Sequence, residues 1–554
     1  MPNLRSMRRE FAIGTVLWLF CTGPAWAQED ILPAVMALTG ETQAEGLDAS
    51  LVERFAFYRS HPLQVNELSR SRLLSSGLLS RYQVATLLDW REHDGDILSL
   101  EELSLVDGFG TARAEALAPF LSFASARAPG RTDQRASLDG EVTLRGAWRS
   151  GLANGGGRLF LARPDRWEAG GAVQAEYRAD NRVDLTGSSV FLARYGRRYR
   201  LILGHFNARF GQGLALWSGF SLSGVASPAA AIRRPSGLSV SRSYAGTGYR
   251  GAAVDWEAGR WTFSAFAALQ GPAGGNVAWY GRYGQLSATA FRRSDGTARI
   301  AADGRFCLRG TDLFAEVAND LPSGETAFVG GVSVPARSGA RWALLVRHYP
   351  AGYHSRDAGA VRSSTKVADE EGIALAFSNS RLSAGLDAAW HPSKGEGQVK
   401  LVSAGTIWTH GPWTWRYRLV ERYRRAAPRN RSDLRFDLSW QRGGWLLTGR
   451  MEAVRSRKVG LLTYGEAGWK GTRGQVWLRG TAFRIDDWED RIYAYERNAP
   501  GYFSVPSYYG RGCEAAVYAG WKGRRWSAWL QASLLRRKEK PGRTGLKVQL
   551  QRNW

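Results

Sequence analysis

The chain has 554 residues, a formal net charge of +25, and 65 Gly, 23 Trp, 20 Tyr and 22 Phe. Such a length holds roughly two or three soluble domains, or one small domain and one large barrel. Three Cys exclude a disulfide-built scaffold, and the load of Gly and aromatics suits many short strands with tight turns.

Residues 1–27 read as an export signal. Arg5, Arg8 and Arg9 form a basic start, Phe11 to Cys21 is apolar, and Ala25-Trp26-Ala27 is a small-x-small cleavage site, so the mature chain is expected to begin at Gln28. Lipoprotein processing at Cys21 is disfavoured by the bulky Trp18-Leu19-Phe20 before it. No later run of about 18 apolar residues follows, so no transmembrane helix is expected. An exported chain of this kind is periplasmic, secreted or a barrel. Cys307 and Cys513 of the mature chain would allow one disulfide in an oxidising compartment.

Residues 28–125 form a helical segment rich in Leu, Glu and Asp. Asn66 is expected to cap a helix, a helical pair covers Leu68 to Arg91, and Ser99 with Glu102 makes a capping box. The segment then runs Leu105-Val106-Asp107-Gly108-Phe109-Gly110-Thr111-Ala112-Arg113. Residues 126–135, with Pro129-Gly130, read as a linker.

From 136 to 554 helical periodicity gives way to alternation. Leu546, Val548, Leu550 and Trp554 share one strand face, and Lys547, Gln549, Gln551 and Asn553 the other. Phe436, Leu438 and Trp440 oppose Arg435, Asp437, Ser439 and Gln441 in the same way. Trp413, Trp415, Tyr417 and Leu419 oppose Arg416, Arg418 and Arg422. A soluble sandwich or propeller would also alternate. The C-terminal aromatic strand and the Trp and Tyr near strand ends favour a membrane barrel. The expected fold is therefore mainly β: an antiparallel transmembrane barrel of roughly 18–22 strands over 136–554, behind a small all-α domain. Long connections are expected at Trp217 to Ala245, as a lumen-inserted or extracellular loop, and at Tyr349 to Glu371 and Asp486 to Gly510.

Two resemblances add to this reading. The order around Gly108-Phe109-Gly110 resembles the tandem helix-hairpin-helix domain of ComEA-type DNA receptors, whereas the first hairpin, Leu74 to Leu79, lacks the paired glycines. The resemblance implies phosphate contact through Gly108, Phe109, Gly110 and Arg113. Phe210-Gly211-Gln212-Gly213-Leu214 with Trp217-Ser218-Gly219-Phe220 resembles an element of helix-hairpin-helix domain-containing outer-membrane proteins of the Bacteroidetes and related phyla. Arg491 to Glu496 with Phe503 to Pro506 and Tyr509 to Gly512 resembles a second such element. Arg347-His348-Tyr349-Pro350 with Tyr353-His354-Ser355 resembles a third. That family implies architecture and little mechanism.

Charge qualifies the DNA reading. Residues 28–125 carry 7 Arg, no Lys and 15 Asp plus Glu, a net −8, where a phosphate-binding module needs a basic stripe. The positive charge lies on the barrel region, at +31 for 126–554. Its arginines suit outer rims that bind lipopolysaccharide, an anion-favouring lumen in which Arg416, Arg418 and Arg422 face inward, or packing against Asp and Glu. The last is the expected role for most of them.

Seven His show no metal spacing, and no metal or cofactor is expected. His391-Pro392-Ser393 has the His-x-Ser spacing of a barrel lipase, but Pro392 and the turn Lys394 to Gly397 interrupt the strand. His354 reads as a solvated loop residue. The expected function is a non-enzymatic outer-membrane channel or secretion component with a periplasmic helical module retained for stability or for docking to protein. The alternatives are a DNA receptor or DNA-transit protein, and a barrel lipase.

Overall fold

Alternation with a period of two gives a strand two unlike faces, and repetition of that pattern from Asp139 to Asn553 produces one sheet that closes on itself. The computed structural model describes residues 31–125 and 138–554, with short breaks at 151, 164–165, 178–181, 222, 282, 354–355, 426–429 and 539. The export signal, the linker 126–135, His354 and Ser355 lie outside the described residues.

Among the described residues the antiparallel barrel has 24 spanning strands, from Asp139–Arg149 to Lys540–Asn553. The last pairs with the first, Asn553 opposite Glu141 and Leu550 opposite Leu144, so no edge remains. The count exceeds the expected range because strands such as Pro272–Gly281 are short and carry several Gly, which dilutes their alternation. The strand Tyr199–Arg209 divides: its first part pairs with Tyr249–Ala258, while Phe206–Arg209 pairs with the short inner strand Gly237–Val240.

The faces sort as the alternation requires. Leu546, Val548 and Leu550 are exposed on the outside, whereas Gln549 and Gln551 are buried inside. Phe436 is outside and Arg435 inside. Exposed Trp256, Trp261, Trp413, Trp445, Trp469 and Trp526 ring the end whose turns are short, which is also the end of Trp554. An apolar band edged with Trp is what a bilayer and its interface select.

The three longest connections, 210–248, 350–369 and 486–509, all leave the opposite end. All three turn inward: Leu214, Val225, Tyr353, Val361, Ile492 and Ala494 are buried. The first two interlock, with Gly359 N–H donating to Gly213 O at 2.9 Å and Trp217 N–H to Asp357 O at 2.8 Å.

The helical segment comprises α1 (Leu32–Thr39), α2 (Ala49–Ser60), α3 (Arg70–Ser75), α4 (Arg81–His93), α5 (Leu100–Leu105) and α6 (Thr111–Leu117). Asp48 caps α2 by accepting from Ser50 N at 2.9 Å, and Ser80 with Gln83 forms a full capping box on α4. Ser99 accepts from Glu102 N at 3.2 Å, but the Glu102 carboxylate takes Leu98 N, so this box is only half made. Asn66 is not a cap. Its amide ties Ile97 on both sides at 2.8 Å and reaches Phe123 O at 3.2 Å, holding the two ends of the segment together.

The helical segment that precedes the barrel in the chain does not stand apart from it. Most of the segment is packed inside the barrel as a plug. Phe57 of α2 meets the wall residue Phe160 edge-on at 4.7 Å between ring centroids, and Arg81 at the start of α4 reaches Ser264 and Asn276. The far end of α4 and the region of α5 are exposed at Asp89, His93, Leu98 and Leu105, and the start of α6 at Thr111, Ala112 and Glu115. Read separately, a segment of −8 and a region of +31 suggest two bodies; brought together they are complementary.

Candidate functional site in the barrel lumen

Inward positions of the strands are polar, and in a closed lumen buried charges must be paired. The wall's Glu168 lies between Arg72 of α3 at 3.0 Å and Arg242 of the inserted loop at 2.6 Å. Tyr195 also donates to Glu168, and Ser75 lies 2.6 Å from the Tyr195 hydroxyl. Arg81 donates to Asn276 at 2.7 Å and Ser264 at 2.6 Å, with Asp255 at 3.5 Å. Glu45 lies on the other side of the plug, 2.8 Å from Arg450 and 3.1 Å from Arg435, and accepts from Tyr495 N at 3.0 Å.

The electrostatics of the plug carboxylates differ. Burial opposes ionisation of Glu45, but Arg435 and Arg450 outweigh it and hold the carboxyl well below the usual range. Burial dominates at Glu41 and raises its pKa, with Lys400, Arg418 and Arg233 only partly offsetting it. Glu53 is raised for the same reason against Arg145 and Arg158.

The sequence elements without an assigned role fold the long connections inward. In Phe210 to Leu214 the backbone wraps a wall carboxylate: Gln212, Leu214 and Ala215 N–H groups donate to Glu316 at 2.5, 3.0 and 3.1 Å. Gly211 is required there, because its φ is +57° and a Cβ would meet the Glu316 carboxyl carbon at 2.6 Å. Arg347 bridges Glu370 at 2.5 Å and Asp387 at 2.6 Å, and the Tyr353 hydroxyl donates to Leu214 O at 2.9 Å. In the third connection, Ile492–Tyr493 pairs with Ser507–Tyr508 as an internal hairpin. Sequence reasoning missed Glu168, Asp255 and Glu316. Their only signal is an acidic residue at an inward position, which many strands share.

The plug does not fill the lumen. A cavity of about 1120 Å³ separates it from part of the wall. Nine Arg and no Lys line this cavity, against four carboxylates, Glu41, Glu115, Asp437 and Glu466. It extends to the short-turn rim at Ser338, Gly339, Asn379 and Ser380.

The residues singled out from sequence lie around this space. Arg416 and Arg418 line the large cavity, and Arg418 also reaches Thr42 Oγ1 of the plug at 3.3 Å. Arg422 and Arg418 line a second cavity of about 230 Å³ with Glu41 and Lys400. Phe109, Gly110 and Arg113 line the large cavity too. Gly108 and Gly110 have φ of +85° and +69°, as a tight hairpin between α5 and α6 demands. A Cβ on Gly108 would meet the Tyr82 ring at 2.9 Å, so this glycine serves packing. Burial and Arg305 push the Arg113 pKa down to about 9.

His391 and Ser393 do not combine. The His391 ring Nδ1 is 2.7 Å from Asp369 O, and Ser393 binds the Asp369 carboxylate, which makes a turn rather than a nucleophile and base. Cys307 and Cys513 are both free thiols, on the separate strands Ala298–Leu308 and Gly510–Lys522. Among the described residues no group of three or more His, Cys, Asp or Glu is placed to hold a metal.

No protein-family model matches the chain, and no curated protein matches it. Solved structures do. The P pilus usher PapC translocation pore is 11% identical, with 75% of this chain and 99% of that one covered and a TM-score of 0.38. OccK5 (OpdH) of Pseudomonas aeruginosa is 7% identical over 75% and 97%, with a TM-score of 0.30. The outer membrane protein OpdK of the same organism is 11% identical over 76% and 98%, also at 0.30. Identities and scores this low transfer neither substrate nor mechanism. The barrel rests on its own hydrogen-bonded closure.

Proposed function

We propose that this protein is a non-enzymatic outer-membrane channel or secretion component, closed by its own N-terminal helical segment and favouring anions. The observation that carries the reading is the double attachment of that segment within the lumen: Arg72 and Arg81 to one side of the wall, Glu45 to the other. A lumen of this size without a plug would be an aqueous pore, and the space that remains is lined by Arg, which favours anions. Short turns at one end and long connections at the other fit a periplasmic rim at Trp554 and an outer face at 210–248. On that orientation the exposed ends of α4 and α5 meet the periplasm and offer a surface to a protein partner. Basic outer rims would meet lipopolysaccharide.

The nucleic-acid alternative gains no support from the placement of the Gly108 hairpin, which packs on Tyr82 and faces the lumen cavity.

Planar-bilayer conductance tests the reading. The full chain should be closed or open rarely. The chain without residues 31–125 should conduct steadily and favour anions. Where that deletion fails to fold, the triple substitution Glu45→Gln, Arg72→Gln and Arg81→Gln should raise the open fraction of the full chain. Steady conductance by the intact protein, or unchanged closure in both variants, would sink the proposal.

A further inference from the structure

Where the plug, the inserted loop and the wall meet near the short-turn rim, four guanidinium groups gather around one carboxylate. The wall supplies Asp312, which Arg305 reaches at 2.5 Å and Arg341 at 3.1 Å. Those two already satisfy it. The plug supplies Arg113 and the inserted loop Arg234, each from a different part of the chain. Among the described residues neither has a hydrogen bond or an ion pair, and Arg113 Nε and Arg234 Nη1 are buried without a partner. Burial lowers the Arg234 pKa, and repulsion from Arg113, Arg305 and Arg341 lowers it further, with Asp312 offsetting part of this. Arg113, Arg234 and Arg341 all face the 1120 Å³ cavity. Glu115 of α6 lines the same cavity but is exposed and pairs with none of them.

Arginine stays protonated in proteins. Two unpaired guanidinium groups deep in a lumen therefore create a demand for a counter-ion that no side chain meets. Some arginines of the same lumen meet that demand with side chains: Arg72 and Arg242 share Glu168, and Arg347 is held by two carboxylates. Arg113 and Arg234 do not, and they lie on the cavity, near its opening at the rim, where a solute can reach them.

We propose that Arg113, Arg234 and Arg341, with Arg305 behind them, form a binding site for a small polyanionic solute carrying phosphate or carboxylate groups. Guanidinium forks match both groups in bidentate geometry. Because the site takes one residue from the plug, one from the inserted loop and two from the wall, a bound polyanion holds the three together. A ligand that binds the docked plug and not the released one stabilises docking by mass action. As a sensor for the gate, the site rests on the plugged-channel reading; as a binding site, it does not.

Pyrophosphate and citrate are the probes, titrated calorimetrically into the full chain in a nonionic detergent and a chloride buffer. Both should bind, and pyrophosphate should raise the melting temperature by several degrees. Arg234→Gln and Arg113→Gln should each weaken pyrophosphate binding at least tenfold. Arg260→Gln, in an exposed turn of the rim, should not. Retention of the compact band on unheated gels identifies variants that fold. Should neither buried variant fold, Arg341→Gln takes their place with the same expected loss. Absence of pyrophosphate binding to the wild-type chain would overturn the site, as would equal binding by Arg234→Gln or by Arg341→Gln. Tighter binding of a single-stranded oligonucleotide than of pyrophosphate, lost on the same substitutions, would overturn the assignment to a small solute. A failed plug-deletion conductance test would leave this binding result standing, so the two readings fail separately.

Discussion

Two sectors of the wall treat the plug differently. From Asp139 to Arg293 the inward face carries Phe160, Phe191, Phe206, Phe266 and Phe291, and these belong to one continuous apolar core with the helices. From Leu382 to Ile485 the inward face presents Arg418, Arg435, Arg450 and Arg479 across the cavity, and the plug touches it through charge. Apolar packing is dense and does not adjust without loss, whereas the second sector holds the plug through the Glu45 ion pairs with a cavity beside them, where water can take over those contacts as they part. The first sector fixes the plug and the second can let go of it.

Substitutions can break or sharpen this contrast. The largest effect is expected in the first sector: Phe57→Ala empties a site packed on Phe160 and Tyr58 and should cost about 3–5 kcal/mol, read as a lower denaturation midpoint. Arg72→Ala removes one of two cations from the buried Glu168 but leaves Arg242 at 2.6 Å. Its cost should be about 2–3 kcal/mol, below that of a fully orphaned buried charge. A double-mutant cycle with Glu168→Gln isolates the pair. Arg450→Gln in the second sector leaves Glu45 with Arg435 and Tyr495 N and should cost about 1 kcal/mol, while raising the open fraction. Equal costs in both sectors would erase the distinction.

The smallest effect is with pH. Glu45 has a depressed folded pKa, so its contribution is complete above about 4.5 and lost only as pH falls through the depressed value. Glu41 and Glu53 are raised, so their docked forms take up protons that the free plug does not bind. Each opposes docking above its raised pKa, and that opposition fades as pH falls towards 4.5. Docking should therefore tighten slightly between neutrality and mild acid. Glu41→Gln should flatten part of that slope and Glu45→Gln should not, as denaturation midpoints from pH 7 to pH 4.5 will show.

The barrel was legible in the sequence because each strand states its two faces locally: Leu550 beside Gln551 is enough to orient a strand. The helices were legible through their Leu, Glu and Asp content, the half-made box at Ser99 and the tight turn at Gly108–Gly110. Their location was not. Glu45 lies 390 residues from Arg435, and no local pattern announces such a contact. The same limit hid Glu316, whose meaning depends on a loop wrapped around it from 101 to 104 residues earlier. Asn66 misled because a residue suited to capping also suits a buried tie.

The seam of the barrel lies between its first and last strands, Asp139–Arg149 and Lys540–Asn553, and the plug precedes both in the chain. The seam can form only once every intervening strand has taken its place, whereas the helices are available from the outset. Chain order favours enclosure over insertion, with the sheet curling around a body joined directly to its first strand. The entropy of joining Glu45 to Arg435 is shared with strand pairing rather than borne by that contact alone.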